Sequence, residues 1–304
     1  MYTLQEKIGA GGYSNVYKCV DHVGVRYVAK VLPMKGNKRY RVQKEVDILK
    51  RLLDTTRVAR IIDACEDQEN YYIIQEWCKG GDIKSYVGLY DVYGENTVAS
   101  IVRGALRGLH HIHARGVIHR DIKAGNVLFA DRTEDSEIKL VDFGAAVVTH
   151  QGKNALIECD EKELVCTPWF VAPEVLGHKA CYGSDIWSVG VLAYLLLSGR
   201  LPFNDKENPF DPRITSVFRS IFMDEPRFTG SAWKHISDDA KDFIKICLEK
   251  DHEKRWQKAE EALGHKWLRS SDCQDRFTGD PLLKCKPFEY EDLTGMAARS
   301  LYVT

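Results

Sequence analysis

The hydrophobic pattern shifts from mainly strand-like to mainly helical along this chain, and that shift limits the fold more than any other feature. Before Gly80 the apolar residues fall in short runs. Tyr2–Ile8, Asn15–Cys19 and Arg26–Leu32 predict strands, separated by Gly9-Ala10-Gly11-Gly12 and by a turn over Asp21–Gly24. Val42, Val46, Leu49 and Leu53 then recur at one-face helical spacing, and the run YYIIQEW at residues 71–77 predicts another strand. Lys79-Gly80-Gly81 reads as a joint between two lobes. Beyond it Val98, Ile101, Val102, Ala105, Leu106, Leu109 and Ile112 trace the buried stripe of a helix. Ser237 followed by Asp238 and Asp239 predicts a helix start, by capping and by acidic charge at the positive end of the dipole. The apolar run Val189–Leu197 is too short to cross a bilayer and predicts a buried helix. From Arg269 onward the pattern loosens into a tail. A strand-rich first part and a helical remainder give the α+β class.

Composition narrows the function classes. A chain of 304 residues can bury a large core and exceeds one compact unit, so one large or two fused domains are expected. Its 43 basic and 44 acidic residues leave a formal charge of −1, which offers no electrostatic reason for a nucleic-acid or membrane partner. The start MYTLQEK has neither an apolar signal-type stretch nor a glycine after the methionine. Nine cysteines without a CxxC pair fit reduced thiols in the cytoplasm or nucleus better than a metal site or a disulfide framework.

Three segments carry chemistry. Glycines in Gly9-Ala10-Gly11-Gly12-Tyr13-Ser14-Asn15-Val16 would let backbone N–H groups approach phosphate oxygens, although a Gly-rich hairpin is more often only a tight turn. A dinucleotide fingerprint fits poorly, because a strand rather than a helix follows. Lys30 ends an apolar strand, where lysines are usually solvated; facing phosphates it would need an anionic partner, which Glu45 on the next helix could supply. The specific signal is His119-Arg120-Asp121-Ile122-Lys123-Ala124-Gly125-Asn126, followed by Asp142-Phe143-Gly144 and then Ala172-Pro173-Glu174.

With these five pieces in order over roughly residues 2–269, the sequence resembles the eukaryotic protein kinase family. The resemblance implies a bilobal fold: a small β-rich N-lobe over residues 1–77, a larger α-helical C-lobe over 78–269, and a docking or regulatory tail over 270–304. It implies ATP and magnesium as cofactors and protein substrates as partners, with the chain acting as a monomer. Asp121 would accept the substrate hydroxyl proton, Asn126 and Asp142 would hold magnesium, and Lys123 would neutralise the moving phosphoryl group. Lys30, paired with Glu45, would contact the α- and β-phosphates. Ile8, Gly9 and Gly11 would lie over the nucleotide, with Val16, Ala29 and Leu128 around the adenine. Gln75 aligns with the gatekeeper, Glu76, Trp77 and Cys78 with the hinge, and Asp82 with an acid near the ribose. Asp185 would anchor the catalytic-loop backbone, and Glu174 would pair with Arg255 in the interior.

Lys123 and Thr167 are the forms found in serine/threonine rather than tyrosine kinases, with Thr167 bridging the catalytic Asp and Lys. The segments VAPEVL and HKWL are most similar to the calcium/calmodulin-dependent and plant-type calcium-dependent kinases, but no EF-hand loop occurs in the chain. The tail PLLKCKPFEYEDLTGMAARSL faintly resembles their inhibitory junction; a docking tail is the blander reading. Departures are Ser14 for a loop glycine, Ala124 for a proline and Cys166 for a glycine, none of which deletes a catalytic group. Gly125 and Leu195 stand where relatives that read basic substrates carry glutamate. Arg120 precedes the catalytic Asp, and Glu163, with Asp160 and Glu161 nearby, falls where such kinases carry an activating phosphate. An active serine/threonine kinase is therefore expected. Its rivals are a pseudokinase scaffold that binds partners and a small-molecule kinase.

Overall fold

The structure, a computed structural model, describes all residues except 13, 88–93, 134, 150–155, 160–166 and 270–304. Tyr13, Asp160, Glu161, Glu163, Cys166 and the tail after Arg269 therefore lie outside the described residues. The N-terminal part is an antiparallel sheet of β1 (Tyr2–Ala10), β2 (Asn15–Asp21), β3 (Arg26–Pro33), β4 (Ile61–Glu66) and β5 (Asn70–Glu76), in the order β1-β2-β3-β5-β4. Helix α1 (Arg39–Arg51) packs beside it. The β1–β2 hairpin closes through Gly11 N–H donating to the Ser14 carbonyl at 2.8 Å, and the next turn through Gly24 N–H to the Asp21 carbonyl at 3.1 Å, with Gly24 at φ +88°.

One sequence expectation is corrected here, and one element was missed. Leu53 does not belong to the apolar face of α1: it is 46% exposed, while Leu52 is buried at 2%. The helix ends at Arg51, so the chain leaves its helical path before position 53 and turns Leu52 inward instead. Strand β4 was not anticipated, because only Ile61 of its six residues is buried and an exposed edge strand shows no alternation.

The hinge crosses into the second lobe at Gly80-Gly81. A Cβ at Gly80 would lie 2.1 Å from the Asp131 carbonyl oxygen, and Gly81 sits at φ +82°, so both positions require glycine. Next come β6 (Gly81–Asp82), α2 (Ile83–Val87), α3 (Glu95–Ala114), β7 (Val117–Ile118), β8 (Val127–Phe129), β9 (Ile138–Leu140) and β10 (Val147–Val148). β6, β8 and β9 form a small sheet, and β10 pairs with β7. Every residue of the expected α3 stripe is buried, and Gly104 and Gly108 let β9 press onto the helix: Cβ atoms there would meet Ile138 at 2.6 Å and Leu140 at 2.9 Å.

The remainder is β11 (Ile157–Glu158), α4 (Pro173–Leu176), β12 (Lys179–Ala180), α5 (Tyr182–Ser198), α6 (Ile214–Met223), α7 (Asp238–Cys247), α8 (Ala259–Leu263) and α9 (Lys266–Arg269). All 17 residues of α5 are buried, as an all-round apolar helix demands. Ser237 caps α7 as expected, accepting from Ala240 N–H at 3.1 Å. No helix among the described residues is long and apolar enough to cross a membrane.

Arg255 locks α4 onto this core. Its guanidinium donates to Glu174 Oε1 at 2.8 Å and Oε2 at 2.9 Å, to the Gly183 carbonyl at 2.9 Å and to the Glu249 carbonyl at 2.8 Å, and lies over the Trp187 ring. Burial pushes the Glu174 carboxyl up, but the hydrogen bonds and charge of Arg255 outweigh it and hold the carboxyl below its usual range. Removing one partner leaves the other charge buried alone. Arg255→Ala is expected to lower unfolding stability by about 3–5 kcal/mol in urea titrations near neutral pH. A depressed folded pKa contributes stability above the ordinary glutamate value of about 4.3 and loses it as pH falls through the lower folded value. The difference between wild type and Arg255→Ala should therefore shrink on acidification.

Candidate active site

The buried carboxylate of Asp185, in the first turn of α5, organises the loop after β7. It accepts the N–H of His119 at 2.9 Å and of Arg120 at 2.8 Å, and the Nε2 of His113 at 2.8 Å. Burial works against its charge, but His113 and the His119 N–H hold the carboxyl below its usual range. Arg120 adopts a left-handed backbone at φ 65°, which costs energy for a residue with a Cβ, and the bond from its N–H to Asp185 helps keep it there. Sequence reasoning anticipated Asp185 but missed His113. The only signal for it was a histidine late in α3, six positions before His119.

On this platform Asp121, Lys123, Asn126 and Thr167 form one network. Thr167 Oγ1 donates to Asp121 Oδ1 at 2.8 Å, and Lys123 Nζ donates to Asp121 Oδ2 at 2.7 Å and to Thr167 Oγ1 at 2.9 Å. Asn126 Nδ2 donates to the Asp121 carbonyl at 2.8 Å and to its Oδ2 at 2.9 Å. Thr167 thus bridges the two charged groups, as the resemblance implied.

Lys30 joins the lobes. Its Nζ lies 2.6 Å from Glu45 Oε1 and 2.7 Å from Asp142 Oδ1. Burial opposes the ammonium, yet Asp142 and Glu45 together hold Lys30 above the ordinary lysine range. The Asp142 side chain is 43% exposed and faces the cleft. Partial loss of solvent pushes its carboxyl up, but Lys30, with help from Lys123, holds it well below the usual range. Phe143, buried at 1%, packs on His119 with ring centroids 4.8 Å apart and pins the next residue of the motif.

Around the cleft most expected positions converge. Val16 is the cross-strand partner of Lys30, so both point to one face of the sheet; Ile8, 45% exposed, lies near the end of β1, and Gly9 pairs with Val16. At Gly12 a Cβ would meet nothing within 4 Å, and at Gly11 only Ser14 of its own turn, so the space over the hairpin is clear. Leu128 lies partly buried on β8, where the resemblance places the opposite wall. Gln75 is buried and donates Nε2 to the Ala59 carbonyl at 3.1 Å. Glu76 lies at the hinge, and burial pushes the Cys78 thiol up to about 12, which leaves it inert. Asp82 Oδ1 caps α2, accepting from Ser85 N at 2.6 Å and Oγ at 2.5 Å, so its Oδ2 is what remains for a ribose hydroxyl.

Ala29 is a correction. It is fully buried with Cys19, Val31 and Ile74 on the sheet face opposite Lys30. Strand side chains alternate, so the residue sharing the cleft face with Lys30 is Val28, across from Gln75. The expected adenine contact moves from Ala29 to Val28.

The donor set suits a hard divalent cation. Among the described residues the amide oxygen of Asn126 accepts no hydrogen bond, because its nitrogen is the group turned to Asp121, and Asp142 Oδ2 is likewise uncommitted. One amide and one carboxylate oxygen, with no cluster of three or more His, Cys, Asp or Glu ligands among the described residues, match an ion that keeps waters and binds substrate phosphates.

A family model described as protein kinase domain matches residues 2–268. The chain is 33% identical over 281 residues to calcium-dependent protein kinase 12 of Oryza sativa subsp. japonica, covering 91% of this chain and 50% of that protein. It is 36% identical over 271 residues to calcium-dependent protein kinase 3 of Plasmodium yoelii yoelii, with 88% and 48% covered. Against CDPK-related kinase 3 of Arabidopsis thaliana it is 33% identical over 279 residues, with 88% and 44% covered. The chain thus spans about half the length of these relatives. With the motifs in order, the catalytic loop hung from Asp185 and a match over almost every described residue, the chain belongs to the protein kinase family.

Proposed function

We propose that this chain is an active serine/threonine protein kinase that transfers the γ-phosphoryl group of ATP, with magnesium, to hydroxyls of protein substrates, and that it needs no phosphorylation of its own activation segment. The observation that carries the first half is the Asp121–Lys123–Thr167–Asn126 network, complete and set opposite the Lys30–Glu45–Asp142 triad.

Each side chain has a defined task. Asp121 accepts the proton of the attacking hydroxyl, and Thr167 and Lys123 fix the direction of its two oxygens. Lys123 adds positive charge where the phosphoryl group passes. Lys30, kept protonated by two carboxylates, holds the α- and β-phosphates. Asn126 and Asp142 would hold magnesium, which when bound neutralises charge on the β- and γ-phosphate oxygens. A pseudokinase scaffold would have no use for this full set of engaged groups. Thr167 and the helix α4 behind it favour a peptide over a small-molecule acceptor.

The second half rests on Arg120. Its guanidinium belongs to a residue only 8% exposed, and among the described residues its sole bond is from Nε to the Ala145 carbonyl, at 2.6 Å. A buried cation needs an anion. From Asp142 to Glu174 the chain has two hydroxyl side chains, Thr149 and Thr167. Thr149 is 9% exposed, and the Thr167 hydroxyl is committed to Asp121 and Lys123. A phosphate has no open acceptor in that segment, whereas Glu163, with Asp160 and Glu161, supplies permanent negative charge.

Asp121→Asn is expected to lower kcat by about 10²–10⁴-fold in a peptide phosphorylation assay while nucleotide affinity stays near wild type. Asp142→Asn should weaken magnesium-dependent nucleotide binding as well as turnover. Near-normal turnover of Asp121→Asn would defeat the assignment. For the second half, bacterially expressed protein treated with phosphatase should be fully active, with activity reduced in Glu163→Ala and intermediate in Glu163→Asp. An enzyme silent until another kinase modifies it would overturn phosphate independence.

A further inference from the structure

Lys139 touches none of the reacting groups, yet its charge is buried. The residue is 8% exposed on β9, and its Nζ lies 2.7 Å from Glu76 Oε1 and 2.8 Å from Oε2. Glu76 Oε2 also accepts the Arg60 N–H at 3.2 Å, and the Glu76 N–H donates to the Arg60 carbonyl at 2.9 Å. Taking an ammonium out of water is costly, and an apolar side chain at position 139 would fill the space without that cost. Stability therefore does not account for the cation.

Position does. The pair stands behind the hinge edge of the slot assigned to adenine: Glu76 follows Gln75 on β5, and strand alternation turns its side chain to the face away from Val28 and Lys30. Lys139 is the cross-strand partner of Leu128, the expected wall of that slot, so the two side chains share one face of the β8–β9 ribbon. Glu76 begins the hinge that closes its back edge. The chain between α1 and β4 completes a circuit: Leu140 N–H donates to the Arg57 carbonyl at 2.9 Å and Ala59 N–H to the Leu140 carbonyl at 3.1 Å. Gln75 is drawn to the same stretch through the Ala59 carbonyl. Backbone bonds thus fix β9 to the segment before β4, and the Lys139 ammonium fixes β9 to the hinge.

We propose that Lys139 is a positioning residue for nucleotide binding: by gripping the Glu76 carboxylate it sets the gap between the hinge and Leu128 before ATP enters. A slot already at its bound width avoids the ordering cost that a loose one meets on binding. The proposal rests on reading the cleft as the ATP site. A pair that merely restrained lobe opening would act differently, slowing turnover and leaving affinity alone.

The loss of Lys139 is tolerable to the fold, because the Glu76 side chain is 35% exposed and can rehydrate. The test uses the full chain, titrated with a fluorescent ADP analogue in magnesium buffer and assayed for steady-state phosphorylation across ATP concentrations. Lys139→Met is expected to raise both the analogue Kd and the KM for ATP by about tenfold, the scale of one charge-assisted hydrogen bond partly expressed. Its kcat should stay within about twofold, since the pair makes no contact that differs in the transition state. Lys139→Arg, which can still reach the carboxylate, should recover most of the affinity. Thermal unfolding reports whether each variant is folded. Should Lys139→Met fail to fold, Glu76→Gln keeps an oxygen for both donors and should show a smaller rise in Kd. Wild type that binds nucleotide, with variants of equal Kd or of raised kcat at unchanged KM, overturns this inference alone. Wild type that binds no nucleotide overturns the ATP-site reading and this inference with it.

Discussion

The carboxylate of Asp185 is the constraint on which the catalytic half depends. It sits at the start of a helix buried along its whole length, so its position is set by the core rather than by the loop it holds. A charge in such a place must be satisfied completely, and three donors from two other segments do so. Two of them are successive backbone N–H groups, and the chain takes the left-handed conformation at Arg120, the second of these residues. The strain is local, the anchor is deep, and the loop has little freedom to relax.

The upper half depends on a second buried charge set. Lys30 is stationed by strand pairing, Glu45 by α1 and Asp142 by the loop after β9, so one ammonium reports the relative position of three elements. Removing α1 from the sheet would separate Glu45 from Lys30. The ion triad therefore couples the packing of a helix to the electrostatics of the phosphate site, which is a mechanical link rather than a stabilising one.

How much of this could be read from the sequence follows from the range of each interaction. Strands β1, β2, β3 and β5, helices α1 and α3 and the Ser237 cap were legible because period and capping are local signals. The motif residues were legible because the kinase motifs are particular side chains in a particular order, and the structure brings them into two connected networks. Leu53 misled because periodicity cannot say where a helix stops. Ala29 misled because it was matched by identity and position in the run, whereas strand alternation makes Val28 the residue on the Lys30 face. His113 and Lys139 were invisible for a different reason. Each acts through a partner 72 or 63 residues away, and nothing near either residue announces that partner.

The two carboxylates of the cleft show how environment divides one chemistry into two roles. Asp142 keeps one oxygen on Lys30 and is held ionised by that cation, which suits the metal-ligand role proposed for it. Asp121 has both oxygens engaged by neutral or flexible donors: a hydroxyl, an amide and a lysine reaching from two residues away. Those donors fix the direction of its remaining lone pairs without a second buried lysine to compete for them. In the proposed reaction a hydroxyl arriving beside Thr167 would meet an acceptor already aimed, and the lysine that aims it would add its charge to the phosphoryl group in transit. On that reading orientation and charge stabilisation would come from the same side chain, and the shared bonds among Lys123, Thr167 and Asp121 make the three a unit.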